Sequence, residues 1–131
     1  MTWSALFAVF LISHLVGDFL LQTGWQAAHK RHGLLDRGEP RRALVRHGLI
    51  YTTAFVPALV WVGAEAGAAL AVGVGALVLA PHVIIDDGTF VASWVRVVKR
   101  VDGPPSVVVR LGVDQTLHVL ALAGAALLAT S

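Results

Sequence analysis

Cysteine is absent from the chain, which excludes disulfides and thiolate sites; any bound metal must be held by His, Asp, Glu or backbone oxygens. Charge is scarce too: 14% of the 131 residues are charged, against 56% that are hydrophobic. With a mean hydropathy of +0.75, the composition is too apolar for an ordinary soluble fold. Basic residues are missing from Met1-Thr-Trp-Ser, and the apolar run that follows contains His14 and Asp18. That run is expected to stay as a membrane helix rather than be cleaved as a signal peptide. Solenoid-length repeats and low-complexity segments are also lacking.

Apolar length is what the chain has in abundance. A spanning helix needs about 20 mainly apolar residues. The runs Thr2 to Gln22, Ala43 to Val62, Ala66 to Asp86 and Val107 to Ala129 qualify. The reading is an all-α polytopic membrane protein, a single domain over residues 1–131 built as a four-transmembrane-helix bundle. Lys30, Arg31, Arg37, Arg41, Arg42 and Arg46 fall between the first two spans, and Arg96, Lys99 and Arg100 between the last two. The connector Gly63-Ala-Glu65-Ala and both termini have no Lys or Arg. By the positive-inside rule both basic loops are cytoplasmic and both termini lie outside. Charge that flanks apolar spans without interleaved aromatics argues against nucleic acid as a partner.

Between the spans, Trp25 fits an interfacial anchor, and His29 and His32 sit among cations as solvated side chains. Pro40 is placed to open the second helix, Pro57 predicts a kink within it, and a tight link is expected around Gly63. Pro81 predicts a bend just before His82. Thr89 to Arg100 puts Phe90, Trp94, Val97 and Val101 on one face, which reads as a short cytoplasmic interfacial helix. Asp102-Gly-Pro-Pro marks a turn, and Ser106 can cap the last helix.

The chemistry lies in three pairs. His14 and Asp18, His82 and Asp86, and Asp114 and His118 are each four apart, so each pair shares a helix face with Cβ atoms about 5–6 Å apart. At 1.5 Å per residue, Asp18, His47 and Asp86 lie about 6 Å from the cytoplasmic helix ends, Asp114 about 10 Å, His14 and His82 about 12 Å, and His118 about 16 Å. All four helices thus bring ionisable groups into one half of the bilayer. A charged Asp at a helix centre costs about 2.5–3.5 kcal/mol, so three aspartates call for a compensating partner. A divalent metal supplies one. Carboxylate with imidazole suits Zn, Mn or Fe, and seven candidate ligands exceed the four of a usual zinc site. The surplus implies either two ions or one ion with a carboxylate spare.

The leading expectation is a membrane hydrolase. The ion acidifies water, Asp87 or Asp18 accepts the proton, Tyr51 hydrogen-bonds water or substrate, and Arg46 or Arg110 orients an anionic substrate such as a phospholipid-like or prenyl-phosphate molecule. Gln22 and Gln115 are expected to support the ligands. Rival classes are a metal-ion or proton transporter, which needs a homo-oligomer for alternating access, a di-iron oxidoreductase, and a structural subunit in which His and Asp merely glue helices. Transport predicts polar residues in the outer half, where only Ser4, Thr52, Thr53, Thr130 and Ser131 stand out.

The set His-Leu-Val-Gly-Asp-Phe-Leu-Leu-Gln-Thr at 14 to 23, Lys30 in a basic loop, His47, His82-Val-Ile-Ile-Asp86 and Asp114-Gln-Thr-Leu-His118 resembles the small bacterial membrane family known as domain of unknown function 3307. Asp87-Gly-Thr departs from the more apolar continuation, leading to a lysine, expected there. The resemblance implies the fold, the motif positions and a bacterial inner membrane location, but no reaction. A looser similarity, to membrane-bound metal-dependent hydrolases with His/Asp-bearing helices, is analogy only.

Overall fold

The computed structural model describes residues 1–131 and is all-helical. Its long helices are α1 (Trp3–Leu15, extended by the π-helical turn Val16–Leu20), α3 (Glu39–Ala66), α4 (Ala68–Asp86) and α6 (Val107–Thr130). All four, α1 with its π turn, are long and apolar enough to cross a membrane. The short helices α2 (Gly24–His29) and α5 (Thr89–Val97) lie in the two basic connectors. α1 packs against α3 and α6, and α4 packs against the same two, which closes a four-sided bundle.

Local chemistry accounts for the helix ends. Thr2 caps α1 by accepting from Ala5 N–H at 3.3 Å, and Ser106 caps α6 by accepting from Val109 N–H at 3.2 Å. Thr23 and Gln26 form a reciprocal capping box that starts α2, a helix not expected within the loop 23–39. Pro40 falls in the first turn of α3, where its missing donor costs nothing. At 28 residues α3 is about 42 Å long, more than a bilayer core of about 30 Å requires. Neither Pro57 nor Pro81 ends its helix; α3 and α4 run through both. The link between them also sits later than expected. α3 continues past Gly63, and the reversal falls on Gly67, whose φ of +93° a side chain would disfavour.

The apolar core fills the half of the bundle away from the basic connectors. Leu6, Phe10, Phe55, Val62, Val74 and Leu122 belong to this cluster. A smaller core of Ile85, Val91, Val95 and Val113 seats α5 against α4 and α6. α5 therefore has two apolar faces: Val91 and Val95 bury inward, while Phe90, Trp94 and Val97 stay exposed. Alternation of these faces supports the interfacial reading, although the sequence pattern revealed only the outer one.

Candidate metal centre

Three backbone features aim the polar residues inward. The first is the π turn at Val16–Leu20, where Leu21 N–H donates to Val16 O at 2.9 Å. Its extra residue per turn redirects Asp18, and such turns recur at functional sites. The second is Gly17, where a Cβ would lie 2.8 Å from Tyr51 Cδ2 and 3.2 Å from Tyr51 Cα, so α1 and α3 meet there only through glycine. The third is α2, which places Lys30 at its carboxyl end over the mouth of the bundle.

All seven expected ligands come together: Asp18, His47, His82 and Asp86 form one group, His14, Asp18 and His118 a second, and Asp18, Asp86, Asp114 and His118 a third, with ligand atoms in each group within 4.8 Å of one another. Six of them are buried; Asp114 has a quarter of its side chain, 24%, exposed. His47 Nε2 is the hub. It lies 2.8 Å from Asp86 Oδ2, 3.1 Å from Asp18 Oδ1 and 3.1 Å from His82 Nε2. His82 Nε2 is in turn 3.2 Å from Asp86 Oδ2. A tetrahedral ion with bonds of about 2.0–2.1 Å separates its ligand atoms by about 3.3–3.4 Å, somewhat more than these four spacings, so the side chains would part slightly to take it.

The neighbours fall into distinct roles. His118 donates through Nδ1–H to Asp114 O at 3.0 Å, which leaves its buried Nε2 bare and without a partner, 3.7 Å from Asp86 Oδ1. That is the tautomer a metal ligand needs. Gln115 Nε2 donates to Asp18 Oδ2 at 3.1 Å and Asp114 Oδ2 at 3.0 Å, so its Oε1 can only accept, here from His14 Nε2–H at 3.0 Å. His14 Nδ1 then accepts from Tyr51 O–H at 3.1 Å. To ligate an ion, His14 has to give up one of these two bonds. As they stand, they make it a clamp on Gln115 and Tyr51. Tyr51 also stacks on His82, ring centroids 3.4 Å apart and nearly parallel, which fixes the His82 ring.

Lys30, by sequence a cation of the basic loop, reaches into the cluster. Its Nζ is 2.8 Å from Asp86 Oδ2 and 3.6 Å from Asp18 Oδ1, the oxygens that also face His47. Two expected contributors lie elsewhere. Asp87 belongs to none of the three groups: it accepts from Leu34 N–H at 2.9 Å and from the Thr89 hydroxyl, tying the basic loop to the start of α5. Both its oxygens are thereby engaged with the loop, away from the cluster. Arg46 is exposed and sits over the Trp25 ring, 5.6 Å from its centroid, away from the cluster. Arg110 does border the site. With Lys30, Arg31, Gln22, Asp18 and Asp114 it lines a cleft of about 410 Å³ that opens the cluster to the outside.

The fold and site together define a class: helical bundles of membrane-spanning length that enclose a His/Asp cluster near one end. Residues 6–131 match the family described as "Protein of unknown function (DUF3307)", and the chain belongs to it. No curated protein and no solved structure matches the chain.

Proposed function

We propose that this protein is a divalent-metal-dependent membrane hydrolase working at the cytoplasmic headgroup layer of a bacterial inner membrane, on an anionic, lipid-like substrate. The observation that carries the reading is the overload on His47 Nε2. A ring nitrogen bears at most one hydrogen, yet two carboxylate oxygens and a second imidazole nitrogen converge on it within 3.1 Å. One hydrogen serves a single short contact well, whereas a central cation would serve all four atoms. Charge points the same way. With the carboxylates ionised and the imidazoles neutral, Asp18, Asp86 and Asp114 against Lys30 leave two negative charges, which one divalent ion cancels.

Asp18, His47, His82 and Asp86 would hold the ion, with His118 as the further ligand. When bound, the ion supplies water acidic enough to react near neutral pH. Asp114, part-exposed and lining the cleft, would accept a proton at its carboxylate, which Gln115 holds in position. Hydrolysis adds the water's oxygen to one fragment and a proton to the other, so it needs no redox partner. The outer half favours an enzyme over a conducting path. There Leu6, Phe10, Phe55, Val62 and Leu122 pack into an apolar core across the direction that transport would require. Positive-inside topology puts the basic connectors, and with them the cleft, on the cytoplasmic side.

The test is elemental analysis of purified protein followed by turnover of phosphate-bearing lipids. Stoichiometric metal in the parent, lost in both His82→Ala and Asp86→Ala, with metal-dependent turnover, supports the reading. Parent protein that stays metal-free after careful loading sinks it.

A further inference from the structure

We infer that Arg31 and Arg110 form a headgroup subsite for a phosphate-bearing lipid, whose chain lies in the groove between α5 and α6. Arg31 was no part of the expected site. Both side chains cross the face of Gly88: a Cβ there would lie 3.4 Å from Arg110 Nη2 and 3.5 Å from Arg31 Cγ. Gly88 has φ +80°, and its lack of a side chain lets both arginine side chains lie against it. Neither guanidinium has an ion pair or hydrogen bond within the protein, although Asp18, Asp86 and Asp114 line the same cleft. Asp102 lines the same recess without pairing to either.

Three spaces neighbour one another in sequence, each sharing wall residues with the next. The cleft over Asp18, Asp86 and Asp114 shares Arg31, Gly88 and Arg110 with a recess of about 400 Å³ that also takes in Arg96. That recess shares Val101 with an apolar groove of about 520 Å³ lined by Trp94, Val109, Val113, Leu117 and Leu120. A carboxylate's two oxygens are used up by one guanidinium fork, whereas a phosphate group has oxygens enough for two forks. A free phosphate would leave the groove without an occupant; a phospholipid fills both parts. The inference rests on the hydrolase reading only in treating this lipid as the substrate, since the arginines and the groove bind it without the ion.

Trp94, on the groove wall, is the reporter. Protein carrying Trp3→Phe, Trp25→Phe and Trp61→Phe is reconstituted in vesicles of phosphatidylcholine with a minor share of phosphatidic acid, one or the other brominated in its chains. Phosphatidic acid is expected to be enriched at Trp94 at least about tenfold, as charge-assisted hydrogen bonds to two arginines imply. Combined Arg31→Gln and Arg110→Gln should abolish the preference with metal content and helicity unchanged, and Arg46→Gln should leave it intact. Equal quenching by the two lipids, an equal loss in Arg46→Gln, or displacement by millimolar inorganic phosphate overturns the inference. Chelator and His82→Ala separate the two proposals. A preference that survives both supports this subsite even if no metal is ever found, and a metal-loaded protein without the preference refutes the subsite while leaving the hydrolase reading standing.

Discussion

The two halves of this bundle are built on opposite terms. The half away from the basic connectors is a dry core of Leu, Phe, Val and Ala, in which small residues such as Ala125, Ala126 and Ala129 let helices approach closely. The other half buries four histidines and three aspartates and leaves His47 Nδ1, His82 Nδ1 and His118 Nε2 without hydrogen-bond partners. Each such group costs about 1–3 kcal/mol. Apolar packing on one side therefore sustains a cluster that does not sustain itself. The difference teaches that stability and chemistry can be perturbed separately, and substitutions in the two halves should dissociate them.

The largest effect is expected from Asp86→Ala. Asp86 faces Lys30, His47, His82 and His118, so it is the residue most of the cluster shares. Metal affinity should fall by more than about 100-fold, beyond the range for loss of a group that merely orients a ligand. Thermal unfolding of the metal-free protein should move little, because the same substitution removes a buried carboxylate. A large loss of metal-free stability would show that the polar half holds the bundle together after all. Leu122→Ala, in the other half, should do the reverse: destabilise by about 2–5 kcal/mol and leave metal stoichiometry unchanged. Isothermal titration paired with thermal unfolding in detergent reads both effects.

Gly17→Ala probes the seam where the halves meet. The added methyl would press on the Tyr51 ring and on its backbone, and only the ring can give way. A cost of about 1–3 kcal/mol is expected. Because Tyr51 stacks on His82 and bonds His14, metal affinity should fall as well. A variant that loses stability but keeps full affinity would show that Tyr51 does not position the ligands.

How much of this was legible in the sequence follows from range. Spans, basic connectors and the three i,i+4 pairs are periodic or local, and depth counted from helix ends was enough to bring seven candidate ligands into one half of the bundle. Arrangements across helices were not legible. Nothing in Val16–Leu20 distinguishes a π turn from a continuing α-helix, so the aim of Asp18 was hidden. Asp87 looked like a spare base because its partners, Leu34 N–H and Thr89, belong to a loop fold that no spacing rule supplies. The Thr23/Gln26 capping box was present as a signal and predicts α2, and that helix carries Lys30 to Asp86.

Lys30 gives the smallest effect and the finest test. Its ammonium shares Asp86 Oδ2 and leans on Asp18 Oδ1, two oxygens proposed to take the ion, so ion and lysine compete for the same lone pairs. Lys30→Met keeps the stem and removes the charge. Metal should then bind more tightly by roughly tenfold, the worth of one partly screened charge contact. The metal-free protein should become less stable, since two buried carboxylates lose their cation. The gap in Tm between metal-free and metal-loaded protein must therefore widen from both sides. Weaker metal binding in Lys30→Met would mean that Lys30 positions the aspartates for the ion instead of competing with it. The polar half would then depend on its loop as firmly as the apolar half depends on its core.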